Sequence, residues 1–269
     1  MPPEDITGFG DLETTADPHG FVATLDALSG GLFREATRLG ADALAAAPGD
    51  RVLDVGCGTG EFACSQARAV APGGEVVGID RSETMVAEAR KRRGDTPGVR
   101  FERGEAAALP LGTSSFDAVH MERVLLYVDE PADAIAELVR VARPGARIAL
   151  VEPDIGTWTI DSADRALTRR VLAYFADEHP GAWAGRRLRG LLIGAGAGAV
   201  EVRAATSTLT DLAHWERTFR IEQLLDRAVA EGVLEADERA AWWRELETAS
   251  ESGRFFWSVT LFAVAARAP

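Results

Sequence analysis

The chain is poor in the residues that mark secreted, metal-binding or nucleic-acid-binding proteins. It has two cysteines in 269 residues, Cys57 and Cys64, and a disulfide within so short a segment is not expected. With four histidines, no spacing indicates zinc, and we predict no metal site. Lysine and arginine number 29 against 42 acidic residues, a net charge of -13 that argues against a nucleic-acid partner and favours a small-molecule one.

Long hydrophobic runs are also missing. No apolar stretch reaches the ~18 residues that a membrane span requires, and residues 1–5 lack the basic start and apolar core of a signal peptide. We therefore expect a cytoplasmic protein without membrane contact. The 46% hydrophobic content can fill a sizeable core, and the length fits one α/β domain with an elaboration.

The rest of the chain is organised around residues 51–62. A short apolar run ending near Asp54 is followed by Gly56, Gly58 and Gly60 and then by a helical pattern, which predicts a strand, a tight turn and a helix. Glycine permits positive φ and bare backbone against a ligand. A dinucleotide loop would read G-x-G-x-x-G, and its phosphates would be repelled by Asp54, so a cationic ligand is favoured.

A second apolar run, residues 75–79, ends in Asp80. The interval from the glycine loop is that of the acid that accepts hydrogen bonds from a ribose diol in nucleotide-binding βαβ units. Together the two stretches predict a nucleoside site.

Four stretches resemble the motifs of one family in the correct order. Residues 52–60 are similar to motif I of the class I S-adenosylmethionine-dependent methyltransferases, and residues 104–111, 115–119 and 138–146 are similar to its later motifs. The likeness is to the small-molecule subgroup of ubiquinone and menaquinone type. It implies S-adenosylmethionine as the cofactor.

The predicted fold is a doubly wound, mostly parallel seven-stranded sheet, Rossmann-like, in a single domain. It comprises an N-terminal helical cap (1–48), a cofactor-binding core (49–155) and a substrate-side half (156–269) with a helical lid at about 211–250, before the last strand. We predict strands at 51–55, 75–79, 98–102, 116–121, 146–152, 200–209 and 254–266, and helices at 20–28, 31–47, 60–71, 82–93, 131–142, 162–178, 211–229 and 235–249.

The resemblance implies roles in cofactor binding. Glu105 would accept from the adenine amino group beside the Ala106 N–H, Met85 would pack on the adenine, and backbone near Met121 would touch the methionine portion. Met85 as core filler and Glu105 as a solvated loop acid remain alternatives, and Arg34 either reaches the cofactor carboxylate or is an exposed helix arginine. The predicted cofactor residues are Asp54, Gly56, Cys57, Gly58, Gly60, Asp80, Arg81, Met85, Glu105, Ala106 and Met121.

The catalytic candidates are Tyr127, His120 and His179. Many relatives have Gln-His where this chain has Leu126-Tyr127, so a ready general base is missing, and a tyrosine orients a substrate better than it deprotonates one at neutral pH. His120 or His179 would serve if the acceptor were a phenol or an activated carbon. A packed structural role for His120 is the alternative.

The substrate side carries acids at residues 151–154 and Trp158, which we interpret as a substrate wall or as strand-end solvation and core. A loop is predicted at 179–188, with Trp183 in the pocket and Arg186 or Arg187 either binding an anionic group or lying on the surface. The glycines of residues 194–198 precede a strand, so they predict a helix end and turn rather than a second nucleotide loop.

The predicted function is methyl transfer from S-adenosylmethionine to a small hydrophobic or aromatic acceptor, such as a secondary metabolite or quinone-like molecule. The alternative is a cofactor-binding enzyme of this fold that catalyses a cyclisation, rearrangement or elimination. A nicotinamide oxidoreductase is disfavoured by the loop spacing. A homodimer is possible.

Overall fold

The computed structural model describes residues 31–179 and 181–269, which form one open sheet with packed helices. The sheet has seven strands in the order β3-β2-β1-β4-β5-β7-β6, parallel from β3 to β5, with β7 antiparallel to both neighbours. The strands are β1 (Arg51–Val55), β2 (Glu75–Asp80), β3 (Val99–Arg103), β4 (Phe116–Glu122), β5 (Ala142–Ile160), β6 (Gly198–Leu209) and β7 (Trp257–Arg267). This confirms the predicted fold class.

The helices connect these strands and, before β7, form an insertion. A 3-10 turn, Leu125–Tyr127, follows β4. In the described part of the chain the helices are α1 (Arg34–Leu44), α2 (Glu61–Val70), α3 (Glu83–Arg93), α4 (Pro131–Val141), α5 (Arg165–Asp177), α6 (Ala184–Gly194), α7 (Leu212–Phe219), α8 (Ile221–Ala230) and α9 (Ala236–Glu251).

The core lies on both faces of the sheet because the central strands are apolar on both sides. Along β5, Ile148 and Leu150 join one hydrophobic cluster, whereas Ala149 and Val151 join clusters on the other face. Parallel strands covered by helices on both faces read as such continuous apolar runs. Since β1 pairs with β4 and with β2, the strand order reverses at β1, and a crevice opens at the carboxyl ends there.

Three predicted elements were wrong in extent. The fifth strand continues to Ile160, because it keeps pairing with β7 beyond a register shift after Asp154. The first helix of the insertion is two helices, since Arg220 has φ 51° and ends α7. The N-terminal helix predicted at 31–47 is the shorter α1, and the helix predicted at 20–28 lies outside the described residues.

The loop predicted at 179–188 was also wrong, because α6 begins at Ala184. Gly185, which falls within the predicted loop, lies in this helix against β5, where a Cβ would stand 2.9 Å from the Glu152 carbonyl oxygen. The glycine thus permits close helix packing. The prediction for residues 194–198 is confirmed, since α6 ends at Gly194 and β6 begins at Gly198.

The described helices include none that is both long and apolar enough to span a membrane.

Candidate functional site

The glycine loop after β1 is held against the end of β2. The N–H groups of Gly56 and Cys57 both donate to the Ile79 carbonyl oxygen, at 2.7 and 2.9 Å. Gly56 has φ +73°, and a Cβ there would overlap the Val124 side chain. A side chain is therefore excluded on both conformational and steric grounds. The loop presents bare backbone to the space above the sheet.

That space is a cavity of about 1280 Å³ over the carboxyl ends of the strands, between α1 and the α7 end of the insertion. It brings together most of the site residues predicted from the sequence. Arg34 also lines it. The predicted residues that line the cavity are Asp54, Gly56, Cys57, Gly58, Asp80, Arg81, Met85, Glu105, Ala106, His120, Tyr127 and His179.

Two predicted cofactor residues do not line the cavity. Gly60 precedes α2 with φ +78°, and a Cβ there would clash with the Phe101 ring. Glycine at this position therefore allows Phe101 to pack against the loop. Met121 is fully buried, and its side chain packs in the core cluster with Leu125. The reason is strand alternation, since the neighbours His120 and Glu122 face the cavity instead.

Asp80 joins the glycine loop to the beginning of α3. Its Oδ2 accepts from the Gly58 N–H and its Oδ1 from the Ser82 N–H, both at 2.9 Å. Burial raises the pKa of Asp80, while these two hydrogen bonds oppose the rise. Each carboxylate oxygen retains a further lone pair, and the residue lines the cavity, so Asp80 can also accept from a ligand.

Asp54 is buried beside His120. Its Oδ1 lies 2.8 Å from Nδ1 of the imidazole, and the ring stacks on Phe62 with centroids 3.6 Å apart. Burial raises the pKa of Asp54, and the hydrogen bond from His120 acts in the opposite direction. The His120 ring is therefore oriented by a carboxylate on one edge and an aromatic face.

The other edge of His120 faces α1. A Cβ at Gly40 would stand 3.3 Å from Nε2, so this helix covers the imidazole closely. Glu122 Oε2 is 3.9 Å from the same nitrogen, and Glu122 Oε1 accepts from the Thr37 hydroxyl of α1 at 2.7 Å. Sequence reasoning missed Thr37 and Glu122. The available signal was an acid two residues after His120, on the same face of a strand.

The far end of the cavity is aromatic. Trp158 is surrounded by Trp257, Phe219, Trp215 and Phe175, with ring centroids 5.2, 5.1, 6.1 and 6.2 Å away. It lines the cavity as the substrate-wall interpretation predicted. Edge-to-face contacts of this kind fix a ring in one orientation.

Several predicted substrate residues lie elsewhere. Arg186 forms a two-point ion pair with Asp154, which is fully buried, and its guanidinium lies 3.9 Å from the centre of the Trp183 ring. None of these three residues lines the cavity, and Arg187 does not either. The guanidinium of Arg186 neutralises an internal acid, because a buried carboxylate needs a partner.

The described residues contain no group of three or more His, Cys, Asp or Glu side chains arranged to hold a metal ion. Both cysteines are free thiols, as expected. Burial raises the pKa of Cys57 well above its ordinary value, so this thiol stays protonated.

The strand order, the glycine loop after β1 and the acid after β2 define a class I S-adenosylmethionine-dependent methyltransferase fold. Residues 53–150 match a family model described as "Methyltransferase domain". This part of the chain is therefore similar to proteins of the methyltransferase family.

The chain is also similar in sequence to several curated proteins. The chain is 38% identical over 228 residues to an uncharacterized 37.1 kDa protein in transposon TN4556 of Streptomyces fradiae, covering 84% of this chain and 65% of that one. It is 40% identical over 151 residues to the demethylmenaquinone methyltransferase of Renibacterium salmoninarum, covering 56% and 59%. It therefore spans less than two thirds of the length of these curated relatives.

Among solved structures, phosphoethanolamine N-methyltransferase 2 of Haemonchus contortus superposes with a TM-score of 0.61 at 16% identity, covering 97% of this chain and 60% of that one. At this identity the likeness concerns the fold.

Proposed function

We propose that this chain binds S-adenosylmethionine and transfers its methyl group to a small hydrophobic or aromatic acceptor. The observation that carries the proposal is one continuous cavity that joins the glycine loop and Asp80 to the aromatic end around Trp158. The protein from Haemonchus contortus was solved in complex with S-adenosyl-L-methionine, which supports the choice of cofactor.

The residues at the loop end fit this cofactor. Gly56 and Gly58 line this end of the cavity, Asp80 offers oxygens to a ribose diol, and Met85, which is almost fully buried, lies in the cavity wall where an adenine ring can pack. Asp54 is a buried acid at the glycine loop, and a carboxylate at this position favours a ligand that carries a positive charge. The cofactor, when bound, supplies an electrophilic methyl group on a sulfonium.

At the acceptor end the role that we propose for the chain is to align the nucleophile with the methyl group. Trp158 and Phe219 offer ring surfaces to a flat molecule, and Tyr127 and His179 add polar groups to the cavity lining. Alignment of this kind can supply on the order of 7–11 kcal/mol of a barrier, so few dedicated acid-base groups are needed. Because relatives include a demethylmenaquinone methyltransferase, we propose a quinone-like or related aromatic acceptor.

The other expectations stay part of this proposal. We propose one methyltransferase domain made of the cap, core and substrate-side half at 1–48, 49–155 and 156–269, acting in the cytoplasm without nucleic acid. We also propose that the chain can form a homodimer.

The test is mass spectrometry of reactions that contain S-adenosylmethionine with a deuterated methyl group and a panel of phenolic, polyketide and quinol acceptors. An acceptor that gains the label, with release of S-adenosylhomocysteine, is the expected result. An acceptor that changes structure while the cofactor stays intact would establish the cyclisation, rearrangement or elimination branch instead.

A matched pair of variants tests the acceptor end. Trp158→Phe should raise the acceptor KM several-fold and leave S-adenosylhomocysteine affinity unchanged, because it reduces the ring surface that lines the cavity. Trp183→Phe, at a tryptophan that is 37% exposed and outside the cavity, should change neither.

A further inference from the structure

Glu152 is a buried acid in β5 that does not line the cavity. Its Oε1 accepts from the N–H groups of both Val124 and Leu125, at 2.8 Å each. Its Oε2 makes no hydrogen bond within the described residues. One oxygen with two amide donors is the arrangement of a group that holds backbone in place.

The two amides open the segment 124–127, which we call the β4 turn. Val124 contacts Gly56 of the glycine loop so closely that a Cβ there would overlap it. Leu126 and Tyr127 line the cavity, and the Tyr127 N–H donates to the Val124 carbonyl oxygen at 2.9 Å. The β4 turn therefore links the cofactor end of the cavity to the acceptor end.

Glu152 accepts from this turn in surroundings that disfavour a negative charge. Burial raises the pKa of Glu152 to about 8, although the two amides and Arg123 favour its ionised form. Asp154, two residues on, shows the contrast, since it is equally buried but is paired with Arg186. A buried acid without such a salt bridge is costly, and the two amides are the contacts that Glu152 gains.

We propose that Glu152 is a positioning residue for methyl transfer: its Oε1 fixes the β4 turn, so that Leu126 and Tyr127 face the acceptor beside the glycine loop. The proposal rests on the methyltransferase function proposed above. It requires the reach of the side chain to the two amides and does not require a negative charge.

The test separates reach from acidity. Glu152→Gln keeps the length and an acceptor oxygen, whereas Glu152→Asp keeps the acid but is one methylene too short. Asp154→Asn is the control, because it alters a buried acid of the same strand whose carboxylate accepts from Arg186 and not from the amides of the β4 turn. The first measurement is hydrogen exchange at the Val124 and Leu125 amides in the full chain, with S-adenosylhomocysteine bound.

We expect Glu152→Asp to speed exchange of these two amides by about tenfold or more, a factor equivalent to about 1.4 kcal/mol. Glu152→Gln and Asp154→Asn should exchange them at the wild-type rate. With an acceptor found in the labelled-methyl assay, Glu152→Asp should lower kcat by a similar factor with the acceptor KM nearly unchanged, and Glu152→Gln should restore kcat.

Two results would overturn the proposal: wild-type exchange and kcat in Glu152→Asp, or losses in Glu152→Gln as large as those in Glu152→Asp. The exchange experiment needs no acceptor. If wild type methylates nothing while exchange follows the expected pattern, the proposed function fails and the contact of Glu152 with the turn stands. If wild type methylates and exchange is unaffected, the role of Glu152 alone fails.

Discussion

Replacing Asp80 by alanine removes one side chain that serves two tasks. Both carboxylate oxygens disappear, so the Gly58 and Ser82 amides lose their acceptor, and the cavity loses the proposed acceptor for the ribose diol. The first loss affects the free protein and therefore its stability. The second appears only when the cofactor is present and therefore affects affinity.

The magnitude follows from the type of bond. A hydrogen bond to a charged group contributes about 1.5–3 kcal/mol, and each 1.4 kcal/mol is about tenfold in affinity. We therefore expect Asp80→Ala to weaken S-adenosylhomocysteine binding by more than tenfold. The stability loss should stay near 1–3 kcal/mol, because the two amides belong to a loop and a helix start beside the cavity, where water can replace the carboxylate.

Calorimetric titration with S-adenosylhomocysteine and urea unfolding measure the two effects separately. The control is Asp117→Ala, since Asp117 accepts from the Arg51 N–H at 2.9 Å at the amino-terminal ends of β4 and β1, away from the cavity. It should lower stability without changing affinity. If Asp80→Ala binds as tightly as wild type, Asp80 is not the ribose acceptor and the assignment of this end of the cavity is wrong.

Three further predictions concern Glu152, Gly56 and Arg186. The raised pKa of Glu152 makes the free energy of unfolding depend on pH: the contribution of its proton is complete below the ordinary pKa of 4.5 and should fall by about 1.4 kcal/mol per pH unit up to the folded pKa of about 8. Urea unfolding at several pH values should therefore give unfolding free energies that diverge between wild type and Glu152→Gln as the pH rises. Parallel pH dependences in the two proteins would refute this prediction. Gly56→Ala should lower the free energy of unfolding by about 1–3 kcal/mol through positive φ and overlap with Val124, and a wild-type value would contradict this. Arg186→Ala should lower the free energy of unfolding by about 1–3 kcal/mol, because buried Asp154 loses its partner. The loss should be smaller than for a fully buried ion pair, since the arginine side chain is 41% exposed. A raised acceptor KM in this variant would show instead that Arg186 contributes to the substrate site.

The local sequence pattern was sufficient to predict those parts of the site that are formed by neighbouring residues of the chain. The glycine loop, the strand before it and the acid at the end of β2 are each defined within a dozen residues, and their interval fixed the βαβ unit. The first four strands were therefore predicted within a residue or two, whereas the fifth was predicted too short. Errors arose where the structural role of a residue depends on a distant partner, as with Gly185, which lies in the predicted loop but packs in a helix against β5.

The sequence by itself determined the fold class and the residues of the proposed cofactor end of the cavity, because hydrophobic period, glycine spacing and strand-end acids are short-range properties. Only the tertiary structure decided the partners of the buried polar groups: Asp54 with His120 across 66 residues, Glu152 with the β4 turn across 27 and 28, and Asp154 with Arg186 across 32. Parallel strands bring such residues together at one sheet edge through long connections. Which polar atoms meet there depends on register and helix packing, which no local pattern specifies.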